Sequence, residues 1–319
     1  MRKWLDGVVA ICIAGSGAAC AQAAPGVPPK PAPAPERWLR VIGEYARGAD
    51  TLHLIEDGGR LRLLTPGGDS AFAADSFAVG ADGSLRVSGI VLQRLQLGPA
   101  DGVQLRLTPV RPVADLLRVV RTAVPPRDST PLLAPDLVEL VSLDSTIHLD
   151  IRYATTNNFL GSVFYAAPRA FLQRPAAEAV ARANRALKPL GYGLLIHDGY
   201  RPWFVTKVFW DATPVESRWL VANPARGSKH NRGAAVDLTL YDLATGRAIE
   251  MPSTYDEASP RALSSYPGGT SLERWHRALL RRVLEAEGFA VNPNEWWHFD
   301  FRDWQRYPIL NVPFEGIGR

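Results

Sequence analysis

Ser228-Lys229-His230-Asn231-Arg232-Gly233-Ala234-Ala235-Val236-Asp237-Leu238-Thr239-Leu240 carries a fold signal and a chemical signal in one stretch. Ala234, Val236, Leu238 and Leu240 fall on alternate positions, the period of a half-buried strand. His230 lies in the loop that leads into this strand, and Asp237 lies on it between Val236 and Leu238. Aspartate has poor strand propensity and is almost never buried without a partner; a cation is one good partner.

Helical and extended patterns alternate on both sides of this strand. Upstream, Pro175 stands at a first helical position and opens an alanine-rich helix over residues 175–187, ended by Pro189 and Gly191. Residues 193–196 form a short apolar strand that runs into His197-Asp198-Gly199. Downstream, Thr270 and Glu273 make a capping box for a helix reaching residue 287, with Gly288 past its end. Leu272, Trp275, Leu279 and Val283 are expected to be its buried stripe. The pattern predicts an α+β domain over residues 137–319, with helices around a small, mainly antiparallel sheet. Seven of the nine tryptophans and five of the six histidines lie beyond residue 137, so the groups suited to a site are concentrated there.

Residues 37–110 read as a small all-β domain. Short apolar runs at 39–41, 52–55, 61–64, 85–87 and 103–107 are separated by Asp57-Gly58-Gly59, Pro66-Gly67-Gly68 and Asp82-Gly83. Such regular spacing predicts a sandwich or barrel with a spacer or docking role, associating with the cell envelope and doing no chemistry. Proline-rich stretches flank it. Residues 24–36, APGVPPKPAPAPE, are expected to be an extended linker holding the folded part away from the membrane. Residues 111–136, with Pro125-Pro126, Pro131 and Pro135, form a second linker with a short helix over 114–122.

Residues 1–23 have the features of a signal peptide: Arg2 and Lys3, an apolar run from Gly7 to Ala14, and the small-residue cleavage site Ala21-Gln22-Ala23. The run is shorter than the roughly 20 residues a membrane span needs, so no transmembrane segment is expected in the mature chain. Cys12 and Cys20 are the only cysteines, and cleavage after Ala23 leaves no thiol as nucleophile or ligand. Lipidation at Cys20 ranks second, since Gly17 replaces the larger aliphatic residue that signal requires. An exported, periplasmic or secreted protein is expected. The 36 Lys and Arg are interleaved with 32 Asp and Glu, which gives no nucleic-acid footprint.

Three segments carry polar residues that folding alone does not request: the His230 to Asp237 stretch, Glu295-Trp296-Trp297-His298, and Asp198-Gly199-Tyr200-Arg201-Pro202. Two histidines and one carboxylate with an open fourth position are a standard catalytic zinc set. A nearby carboxylate that is not a ligand can serve as general base, which suits Glu295 beside the large apolar rings of Trp296 and Trp297. Each residue also has a plainer reading. His298 can be a core histidine, Arg201 an ion-pair partner of Asp198, and Asp256 a solvated loop charge. His53, His148 and His276 read as core or boundary histidines. His197 is expected on the strand face opposite Asp198, and Trp203, Trp210 and Trp219 are expected in the core.

The segments S-x-H-x-x-G-x-A-x-D (from Ser228) and E-x-W-H (from Glu295) resemble the zinc motifs of the D-Ala-D-Ala dipeptidases. That family is related to the zinc D-Ala-D-Ala carboxypeptidases and the Hedgehog signalling domain. Asp150-Ile151-Arg152-Tyr153-Ala154-Thr155 with Asn158-Phe159, Asp198-Gly199-Tyr200-Arg201-Pro202 and Asp237-Leu238-Thr239-Leu240-Tyr241 extend the likeness over residues 137–319. The resemblance implies Zn2+ held by His230, Asp237 and His298. It implies that Glu295 activates water and protonates the leaving amine, and that Arg201 stabilises the oxyanion. Ser228 would help recognise substrate, and Asp256 would hold the ammonium group of a small dipeptide. Two other functions compete: a zinc D,D-carboxypeptidase acting on peptidoglycan stems, and a noncatalytic cell-wall-binding module. The Arg201 motif favours the dipeptidase, and the intact Glu295 argues against the module.

Overall fold

The computed structural model describes residues 27–66, 68–72, 77–80, 84–87, 90–95, 105–127 and 132–317. The expected signal peptide, Cys12, Cys20, the turn at Asp82-Gly83 and Val103 lie outside these residues.

Alternating leucines build the first sheet. A one-turn helix, α1 (Glu36–Leu39), precedes β1 (Gly43–Arg47), β2 (Asp50–Asp57), β3 (Arg60–Thr65), β4 (Gly68–Phe72), β5 (Phe77–Val79), β6 (Leu85–Val87) and β7 (Ile90–Arg94). The order is β4-β3-β2-β1-β7-β6-β5, antiparallel throughout. Gly58 and Gly59 turn β2 into β3 at φ 57° and 77°, a left-handed conformation that glycine adopts without cost. Leu52, Leu54, Leu61, Leu63, Leu85 and Leu92 pack with Trp38 and Tyr45 in a separate apolar cluster. Among the described residues β4 and β5 do not pair, so the strands form one open sheet in place of the expected sandwich or barrel. Among the described residues two expected strands are absent. Leu39 ends α1, which Pro35 opens and Trp38 anchors in the cluster. Residues 105–107 lie along the C-terminal part, where Leu107 N–H donates to the Phe159 carbonyl at 2.8 Å.

The second linker is also part of the fold. Its helix, α2 (Val113–Val120), buries Val113, Leu116 and Val120 in the main core, because its apolar positions recur at helical spacing. The proline-rich N-terminal stretch is likewise held. Pro28 accepts a hydrogen bond from the Trp275 indole at 2.9 Å, and the Lys30 ammonium lies 5.1 Å from the centre of the Tyr192 ring.

The remaining elements are β8 (Leu137–Glu139), α3 (Leu140–Leu143), β9 (His148–Leu149), β10 (Phe171–Gln173), α4 (Arg174–Leu187), β11 (Tyr192–Asp198), α5 (Trp203–Ala212), β12 (Ala235–Asp242), α6 (Ser271–Ala286), β13 (Phe289–Asn292) and β14 (Glu295–Phe301). Five strands form a sheet in the order β13-β14-β12-β11-β9, antiparallel except for the short β9–β11 pair. β8 and β10 pair separately. Helices α4 and α6 pack on each other and on the sheet. β12 is buried on both faces, not half-buried as its alternation implied. The face bearing Asp237 and Tyr241 is covered by Tyr255, which bonds Asp237, and by His148, stacked 3.8 Å from Tyr241.

The capping box of α6 is present, with Thr270 and Glu273 exchanging hydrogen bonds. The buried stripe is turned from the expected one. Residues His276, Leu279, Leu280 and Leu284 are buried, and Leu272, Trp275 and Val283 sit at its edge. The Tyr192 hydroxyl, 3.0 Å from His276 Nε2, makes room for a buried imidazole. Pro28 meets Trp275 at the boundary.

Candidate active site

Gly233 closes the short turn His230–Arg232 with φ 65°, and a Cβ there would meet Leu137 at 2.5 Å. Only glycine fits, and the turn places His230 immediately ahead of β12. Antiparallel register then sets Asp237 on β12 directly opposite His298 on β14. His298 Nδ1 is 2.9 Å from Asp237 Oδ1, and His230 Nε2 is 3.1 Å from His298 Nδ1 and 3.4 Å from Asp237 Oδ1. Those separations match a tetrahedral face around an ion with bonds of about 2.0–2.1 Å, whose edges are about 3.3 Å.

The outward nitrogens support the same reading. His230 Nδ1 lies 2.7 Å from the Gly199 carbonyl, and His298 Nε2 lies 2.9 Å from Asp300 Oδ1. An acceptor behind each ring fixes its orientation and leaves the other nitrogen for a cation. Asp300 is in turn paired with Lys229. Asp237 also accepts from the Tyr255 hydroxyl at 3.0 Å. The His–Asp–His donor set therefore fits a metal such as zinc.

All seven residues singled out from the sequence border one cavity of about 760 Å³: Arg201, Ser228, His230, Asp237, Asp256, Glu295 and His298. Glu295 Oε2 lies 3.9 Å from His298 Nδ1 and accepts from Asn292 at 2.9 Å. Arg201 is an ion-pair partner of Asp198 and also borders the cavity. Its Nε and Nη2 donate to Asp198 Oδ2 at 2.9 and 2.7 Å, while the guanidinium lies 5.1 Å and 5.0 Å from the Tyr153 and Phe209 ring centres. Its Nη2 stays 4.0 Å from Asp237 Oδ2. Gly199 permits this turn, since a Cβ there would meet the Phe171 carbonyl at 2.9 Å. Ser228 Oγ accepts from His230 N–H at 3.3 Å and so helps to shape the ligand turn.

Asp256 is half-buried. It faces the cavity at φ 59°, with the Tyr153 hydroxyl 3.3 Å from its Oδ2. Burial, with Asp237 and Glu295 nearby, pushes its carboxyl up to about 7. Burial also raises Glu295, reinforced by Asp237 and opposed by the two histidines. In Asp237 burial works the same way, but His230 and His298 outweigh it and hold the carboxyl well below the usual range. Four carboxyls bordering one cavity, Asp237, Asp256, Glu257 and Glu295, leave negative charge that a cation would offset.

Other expectations change. Trp219 is 76% exposed at the cavity rim, and Trp210 is half-buried beside Arg218; only Trp203 is core. His148 is exposed against Tyr241. His197 packs on Tyr255 and does not border the cavity. Tyr153, Tyr255 and Asp300 were missed. Asp300 had a readable signal, since residues two apart on a strand share a face. Tyr153 and Tyr255 had none beyond lying in or beside quoted motifs.

Around one cavity, a His–Asp–His cluster, a carboxyl of raised pKa and a clamped guanidinium define the class: a peptidase. The description of the family model matching residues 134–314 is D-ala-D-ala dipeptidase, of peptidase family M15, and the chain belongs to that family. It is 31% identical over 179 residues to the D-alanyl-D-alanine dipeptidase of Escherichia coli, covering 56% of this chain and 91% of that one. It is 34% identical over 187 residues to the enzyme of that name from Enterococcus faecalis, covering 52% and 92%. The Streptomyces coelicolor enzyme of that name is 33% identical over 186 residues, covering 53% and 92%.

Proposed function

We propose that this chain is an exported zinc-dependent dipeptidase that hydrolyses D-alanyl-D-alanine in the turnover of cell-wall peptides. The observation that carries the reading is a half-buried Asp256 carboxyl facing the same cavity as the His230–Asp237–His298 cluster. His230, Asp237 and His298 would hold the ion, which when bound supplies a Lewis acid that polarises the scissile carbonyl.

Glu295 takes a proton from the attacking water and delivers it to the leaving amine as the C–N bond breaks. A carboxyl of raised pKa suits both halves of that transfer. Arg201 offers its guanidinium to the carbonyl oxygen as charge develops there. The Asp198 pair and the flanking rings keep it oriented in advance. Asp256 accepts the substrate's ammonium, whose charge favours ionisation of the carboxyl, and Ser228 contributes to the substrate wall. Export is supported by the basic, apolar and small-residue pattern of residues 1–23, and an enzyme outside the cytoplasm recycles or scavenges released dipeptide.

The test compares free D-Ala-D-Ala with its N-acetylated form. Removing the cation should lower kcat/KM by about tenfold or more, and Asp256→Asn should impair the free dipeptide much more than the blocked one. Equal or better cleavage of acetylated or stem-length peptides would make the enzyme a carboxypeptidase.

A further inference from the structure

Glu44, in β1 of the N-terminal sheet, is 1% exposed. A carboxylate buried in so small a sheet needs charged partners, and they come from the C-terminal part of the chain. Arg261 grips it with two hydrogen bonds of 3.1 Å, and the Tyr266 hydroxyl donates to Oε1. Burial pushes the Glu44 carboxyl up, but Arg261 and Tyr266 bring it below its ordinary value.

Arg261 lies between Pro260 and Ala262, which border the cavity. It lies 4.0 Å from Glu257, which accepts from Ser259 Oγ at 2.5 Å and from Thr254 N–H at 3.2 Å. Residues 254–261 are thereby closed into a clamp around Asp256, a non-glycine residue held in the left-handed region. Glu257, Ser259, Pro260 and Ala262 border the cavity beside Asp256. A second buried carboxylate, Glu56 on β2, is 2% exposed and docks the same sheet elsewhere. Its oxygens accept from Ser271 N–H at 2.8 Å, at the start of α6, and from Gly59 N–H at 2.7 Å. The family match, residues 134–314, takes in Arg261 and leaves out Glu44.

We infer that Glu44 is a positioning residue for substrate binding: the N-terminal sheet uses it to hold Arg261 and so to fix the loop that presents Asp256. This rests on reading Asp256 as the ammonium acceptor. It departs from the sequence-based expectation of a sheet with no part in the chemistry.

The experiment uses the full chain with zinc and free D-Ala-D-Ala. Glu44→Gln should raise KM about tenfold with kcat within about twofold and zinc content unchanged. The preference for free over acetylated dipeptide should fall toward that of Asp256→Asn. Arg261→Met should reproduce the effect from the loop side, and the double variant should be no worse than either single one. Glu56→Gln loosens the same docking away from the loop and should leave KM unchanged. An unaltered KM in Glu44→Gln, beside a raised one in Asp256→Asn, overturns the positioning role alone. An equal rise in Glu56→Gln does so too, by reducing the effect to general loosening. An unaltered KM in Asp256→Asn overturns the ammonium reading and this inference with it. If Glu44→Gln does not fold, Arg261→Met decides by the same criteria.

Discussion

His298 and Glu295 are three residues apart on β14, yet their substitutions should fail in different ways. His298→Ala removes a donor from the His–Asp–His face, so metal content and activity should disappear together. Glu295→Ala leaves that face intact, so zinc should stay bound while kcat falls by about 10²–10⁴-fold. Metal analysis beside steady-state kinetics separates the two, and full zinc in His298→Ala would show that the ligand set is wrong. Asp300 acts one step further out, through its 2.9 Å contact with His298 Nε2. Asp300→Asn should weaken zinc binding by about 10–100-fold in a chelator competition. Unchanged affinity would leave Asp300 serving only Lys229. At this scale the site was largely legible, because His230, Asp237, Glu295 and His298 lie in short motifs whose spacing reflects their chemistry. Tyr255 was not, because its bond to Asp237 depends on how a loop folds back.

Secondary structure was read best where the signal is local. The capping box of α6 needs only Thr270 and Glu273 three residues apart, and both of its hydrogen bonds are present. Thr270→Ala should cost about 1 kcal/mol, seen as a lower Tm with kcat unchanged. A Tm equal to that of the parent would mean that the docked Ser271 and Arg274 hold the helix end without the cap. Which face of α6 turns inward was not local. The periodicity placed Trp275 inside, but Tyr192 and Pro28 supply partners that bring His276 in and leave Trp275 at the edge. The burial of β12 on both faces has the same origin, since Tyr255 and His148 arrive from loops distant in sequence.

For the whole molecule, the proline-rich segments read as linkers are partly load-sharing. Leu116 is 1% exposed within the main core, although it lies before the family match begins. Leu116→Ala should destabilise by about 2–5 kcal/mol in urea unfolding, as for other large-to-small core changes. A loss below about 1 kcal/mol would return α2 to the status of a linker helix. By itself the sequence determined the strand and helix periods, the caps, the cysteine-poor composition and the motifs that carry His230, Asp237, Glu295 and His298. Each of these depends on neighbours a few positions away. The tertiary structure alone decided the open form of the first sheet, the inward face of α6, the placing of α2 in the core and the docking of Glu44 on Arg261. That last pair is separated by 217 residues. A buried carboxylate leaves no periodic trace of where its counter-charge lies, so only packing could reveal it.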